Sequence, residues 1–86
     1  MKTGYDYFVE FKKELESYND EELIKRFNEE VDNKGSGTAR FSFLSALHYE
    51  FGLRGFDFSE IGNADSLSFK DKITLINKTI SKKGVQ

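Results

Sequence analysis

Few residues in this 86-residue chain combine a reactive type with a reactive spacing. His48 is its one histidine. Ser42 and Ser45 share an expected helix with it, yet neither sits on the strained turn that presents a nucleophilic hydroxyl. With a single His and no Cys, the chain has no His-rich zinc site, no thiolate metal site and no Cys nucleophile. Asp57, Ser59 and Glu60 miss the calcium-loop spacing, and no bidentate Glu follows at the twelfth place. Lys34-Gly35-Ser36-Gly37-Thr38 is glycine-rich but joins two expected helices, and it lacks the Lys-Ser/Thr end of a phosphate loop. Asn77-Lys78-Thr79 has the form of a glycosylation acceptor, a chance match in a chain without a secretory signal. The sequence therefore predicts no catalytic centre, no metal and no cofactor.

Two sets of charged residues point to binding instead. Arg40 lies at helical spacing among Phe43, Leu44, Leu47 and Phe51, so its guanidinium points toward apolar surface. Burying that charge is costly unless it is paired, and the first turn of a helix repels a cation. An internal carboxylate, backbone carbonyls or an external anion must compensate, and internal pairing is the reading preferred. The second set is Lys70, Lys72, Lys78, Lys82 and Lys83. If Lys72, Lys78 and Lys82 share one face, they form a small patch for phosphates, with Phe69 available to stack on a base. As edge-strand lysines they would instead discourage aggregation. His48 and Tyr49 complete the candidate binding residues.

The elements that must position these groups follow from periodicity. Phe8, Phe11, Leu15 and Tyr18 form a helical stripe over residues 5–17, which Tyr5 and Val9 can widen. Asn19 and Glu22 have capping-box spacing, with Asp20, Glu21 and Glu22 in the first turn of a second helix. Leu23, Ile24, Phe27 and Val31 are its buried stripe, and residues 32–37 make a flexible turn. The short 17–19 link suggests that the first two helices pack antiparallel. A third helix runs from Thr38, read as its N-cap, to Leu53, and Gly55 is free to take the left-handed position that closes it. This helix is apolar on most sides and is expected to be central, with Phe41 and Tyr49 projecting away from the core stripe.

Beyond Gly55 the pattern changes. Residues 56–61 alternate apolar and polar, as an extended segment or a single turn would. Phe69, Ile73, Ile76 and Ile80 fit a helix, but Ile73, Thr74, Ile76, Thr79 and Ile80 are β-branched and favour strands. Asn77-Lys78 suits the centre of a two-residue turn pairing 72–76 with 79–83. Residues 84–86 are expected to fray. The preferred fold is α+β, a three-helix core followed by a C-terminal β-hairpin; an all-α, four-helix chain is the alternative.

Composition sets the remaining bounds. Charged residues make 33% of the chain, which raises the question of disorder, but nine Phe and four Tyr supply the apolar area of a folded core. Net charge is −4 over residues 1–36, −2 over 37–65 and +4 over 66–86. No window approaches the length of a membrane-spanning helix, and the acidic, amphipathic start is unlike a signal peptide, so a cytoplasmic location is expected. The expectation for function is a small non-catalytic protein-binding or adaptor domain, its partner another protein or a second copy of itself. Phe41, Tyr49, Phe56 and Phe58 are candidates for an exposed aromatic patch. The alternative is nucleic-acid binding through the C-terminal lysines.

Overall fold

A computed structural model of the chain describes residues 2–31 and 37–83. Three helices, α1 (Gly4–Glu16), α2 (Asp20–Val31) and α3 (Thr38–Leu53), precede two strands, β1 (Ile73–Ile76) and β2 (Thr79–Lys82). This is the α+β order that the β-branched C-terminal residues predict. Apart from Gly37, the expected turn at 32–37 lies outside the described residues, as does the expected fraying at 84–86.

Local chemistry sets the helix ends. Thr3 caps α1: its hydroxyl accepts from the Asp6 amide, and the Asp6 carboxylate accepts from the Thr3 amide at 2.9 Å. Asn19 and Glu22 form the predicted capping box of α2, with both reciprocal bonds at 2.8 Å. Thr38 is not the cap of α3; Gly37 precedes the helix without a side-chain bond, and Thr38 is its first residue. At the far end of α3, the Gly55 amide donates to the Gly52 carbonyl and the Phe56 amide to the Phe51 carbonyl, both at 3.1 Å. Gly55 adopts φ +72°, and the Phe51 and Phe56 rings meet 5.7 Å apart. These are the bonds and the apolar contact of a Schellman motif, and they send the chain back toward the core.

The helix pairing differs from expectation. The chain does reverse after α1, but the close backbone partner of α1 is α3, while α2 approaches β1. α1 and α3 start at the same end, where the Ser42 hydroxyl donates to the Gly4 carbonyl at 3.0 Å. Gly4, Ser42 and Ala46 are small enough to let the two backbones approach, whereas α2 meets the core with Leu23, Ile24 and Phe27. The core draws on all of these elements: Leu15, Leu23, Phe27, Phe43, Leu47, Phe51, Phe56, Ile61, Ile73 and Ile80 are buried in one cluster. Tyr5 and Val9 do not widen it; both are exposed on the far flank of α1.

The hairpin has the predicted turn. Asn77 and Lys78 both take positive φ, 50° and 63°, as a type I′ turn requires. Ile73 pairs with Lys82 and Ile76 with Thr79. A two-stranded sheet leaves two unpaired edges, and this chain covers both at specific points. The Asn28 side chain donates to the Ile73 carbonyl and accepts from the Ile73 amide, so α2 supplies a substitute strand bond. On the other edge, Asp57 forms a parallel bridge with Thr79: its amide donates to Lys78 and its carbonyl accepts from Ile80. The Glu60 carboxylate accepts from the Lys82 amide. Segment 56–61 is thus extended at Asp57 and then turns, combining the two expected forms.

Candidate functional site

Two clusters of arginines around the buried Glu30 and Glu50 hold the helices in place and define, by contrast, the surface left over. Arg54 follows α3. Its Nη2 donates to the carbonyls of Leu15 (3.0 Å) and Tyr18 (2.7 Å), its Nε to Glu50 (2.8 Å) and its Nη1 to Asp20 (2.9 Å). One guanidinium therefore joins the end of α1, the start of α2 and the end of α3, with its positive charge at the carbonyl end of α1. Burial acts to lower its pKa, but the hydrogen bonds and charges of Glu50 and Asp20 prevail and raise it. At the opposite end, buried Glu30 receives Arg26 at 3.1 Å and faces Arg40 Nε at 3.5 Å. Arg40 Nη2 also donates to the Glu30 carbonyl at 3.2 Å. Arg40 is thus paired internally between α2 and α3, as burial of its charge requires.

The lysines are dispersed. Strand register places Lys82 on the same side as Ile73 and Ile80, near Asp71 (3.9 Å), and Lys72 on the opposite side. Lys78 sits in the turn and donates to the Arg54 carbonyl at 3.3 Å. Lys72, Lys78 and Lys82 therefore share no face, because alternation along a strand separates them. Lys72 and Lys83 line a hollow between α2 and β1, but Glu21 and Glu29 line it too, so its charge is mixed. Lys70 is exposed on the bend before β1. Among the described residues, no group of three or more His, Cys, Asp or Glu is placed to hold a metal ion, and no helix is long and apolar enough to cross a membrane.

His48 and Tyr49 are the two sequence-derived candidates that the structure brings together. Both lie on the outer side of α3, away from Phe43, Leu47, Glu50 and Phe51. His48 Nε2 lies 2.8 Å from the Asn63 carbonyl oxygen, and its ring meets Phe58 edge-on at 5.3 Å. Tyr49 meets Phe8 edge-on at 5.8 Å and carries Lys12 over its face at 5.2 Å. Along the same side Phe41 is 75% exposed, Leu53 58% and Tyr49 44%. Phe56 does not join this patch, and Phe58 enters it only as a wall. Alternation about Asp57 turns both inward, so Phe56 is buried and Phe58 packs half-buried against the core.

Between these side chains the surface is concave. One hollow, of about 470 Å³, is lined by Phe8, Ser45, His48, Tyr49, Gly52, Leu53, Phe58 and Ala64. A second, of about 220 Å³, runs from Ser45 and His48 toward Phe41, Leu44, Leu67 and Phe69. They share Ser45 and His48 and so form one continuous, mainly apolar face, with Asp65 and Ser66 at the edge of the second hollow. Gly52 deepens the first hollow. A Cβ there would meet nothing within 4 Å, and its φ is not positive. Neither strain nor internal crowding requires glycine at 52, although glycine in a helix costs about 0.5–1 kcal/mol relative to alanine. Gly62 contrasts with it, because a Cβ there would overlap the Ser66 carbonyl oxygen and Leu67.

Phe41, His48 and Tyr49 stand out in the sequence, whereas Ser45, Gly52 and Leu53, which the structure places beside them, do not. The signal was present: Phe41, Ser45, His48 and Gly52 recur at i, i+4, i+7 and i+11, opposite the core stripe. The fold and this face define the class, a small α+β domain whose described residues leave a mainly apolar helix face uncovered. The chain matches no protein-family model, no curated protein and no solved structure.

Proposed function

We propose that this chain is a small non-catalytic protein-binding domain that engages its partner through the outer face of α3. The observation that carries the reading is the juxtaposition of exposed Phe41, Tyr49 and Leu53 with the two joined hollows centred on Ser45 and His48. Exposed aromatic anchors beside apolar hollows are the usual energetic centre of a protein interface. An apolar patch of several hundred Å² on a small domain commonly marks an interaction site. The polar groups nearby support binding rather than bond-making. The His48 ring is held by the Asn63 carbonyl, and the lysines that would draw a polyanion are divided among different faces and paired in part with carboxylates.

The test is affinity capture from nuclease-treated native lysate with the wild-type chain and with Phe41→Asp as parallel baits. A protein retained by the wild type at moderate salt and lost with Phe41→Asp is the expected result. Identical capture by the two baits would remove the α3 face from consideration. Capture abolished by nuclease would favour the C-terminal lysines.

A further inference from the structure

We propose that the occupant of the α3 face is a second copy of this chain, docked antiparallel across α3, so that Phe41 of each copy fills the Gly52 hollow of the other. This rests on the reading of the face given above and names its partner.

The most exposed ring of the face, Phe41, and the hollow beside Gly52 belong to the same helix surface. Phe41 and Gly52 are eleven residues apart, about three turns, so they lie on nearly the same line along α3 and roughly 16 Å from each other. A two-fold axis perpendicular to α3 near Ser45 and His48 exchanges these positions. It carries each Phe41 onto the partner's hollow and each hollow onto the partner's Phe41. Such an interface satisfies itself, as isologous association requires. The hollow of about 470 Å³ has room for a phenyl ring. The hollow lies open at Gly52, where a Cβ would meet none of the described residues within 4 Å.

Phe41, Tyr49 and Leu53 expose roughly 350 Å² between them, on the usual scale of side-chain areas. The half-buried walls formed by Phe8, His48 and Phe58 add up to about 200 Å², which brings the face close to the ~600 Å² per partner at the lower end of specific interfaces. The dimer is therefore expected to be reversible, with a dissociation constant of micromolar order. Ser45, the small residue next to the crossing, lets the two helices approach there.

The chain contains no cysteine, so its geometry can be read by single-cysteine cross-linking. The experiment combines sedimentation equilibrium of the untagged full chain with disulfide trapping. Wild type should move from the 9.9 kDa monomer toward twice that mass between about 1 and 500 μM, around the expected dissociation constant. Phe41→Ala, which removes the ring, and Gly52→Leu, which fills the hollow, should each weaken association roughly thirtyfold or more. Both should keep the wild-type circular dichroism spectrum, since both positions face solvent. Ser45→Cys, close to the axis, should form a disulfide dimer, and Gly52→Cys, far from its own mate, should not. Efficient trapping of both would mean a parallel arrangement and overturn the antiparallel dimer. Monomer at every concentration, or dimer unchanged in both surface variants, overturns it as well. If the chain stays monomeric while Phe41→Asp still loses a captured protein, the dimer fails and the binding face stands. If capture is also indifferent to Phe41→Asp, both readings fail.

Discussion

The two sides of α3 solve opposite problems. Its inner side ends in Arg54, where four described acceptors surround one guanidinium and Phe51 is fully buried. Its outer side presents Phe41 at 75% exposure and a glycine beside an open hollow. Both sides are aromatic, so hydrophobicity alone does not distinguish core from surface in this helix. What distinguishes them is whether neighbouring elements arrive. The inner side meets α1, α2 and the hairpin; the outer side is flanked by α1 and by residues 58–69 but covered by neither.

The largest effect that sharpens this contrast comes from one substitution made on each side. Phe51→Ala should cost about 3–5 kcal/mol, because it opens a cavity among buried rings. Phe41→Ala should change monomer stability by about 0.5 kcal/mol or less. Urea denaturation at low micromolar concentration measures the two together, and equal costs would erase the distinction between the faces. Arg54→Met should follow, at about 3 kcal/mol, because it leaves Glu50 buried without its cation and the Leu15 and Tyr18 carbonyls without their donor. Adding Glu50→Gln should recover part of that loss; no recovery would mean that the carboxylate was not the cause.

The smallest effect is a titration. The Ser59 amide and hydroxyl both donate to the Asp57 carboxylate and hold its pKa below the ordinary 3.8. A depressed carboxylate pKa contributes stability that is present above the unfolded value and lost as pH falls through the folded value. Carboxyl-carbon NMR should therefore show the Asp57 midpoint below 3.8, and the 57–61 turn should keep its amide signals at pH 5. A midpoint at or above the unfolded value would mean that these bonds do not form in solution.

Much of the architecture was legible because its causes are local. The Asn19–Glu22 capping box lies within one turn, the Gly55 reversal within one motif, and the Asn77-Lys78 turn within the two strands it joins. β-branching decided in favour of the hairpin over a fourth helix for the same reason: it acts on each residue's own backbone. The face of α3 was half legible. Its rings stood out as aromatic residues off the core stripe, but Ser45 and Gly52 matter through the space they leave, and residue type alone does not mark empty space.

The sequence by itself determined the three helices and most of their ends, favoured the hairpin, and showed that Arg40 needs a compensating partner. Only the tertiary structure decided that Glu30 is that partner, that Arg54 binds three helix ends, that Asn28 and Asp57 cover the hairpin edges, and that α1 packs beside α3. It also decided that Phe56 turns inward while Phe41 does not. These outcomes depend on residues separated by as many as 45 positions meeting in space. A local preference favours an element, whereas a partner is chosen only when packing brings two elements together.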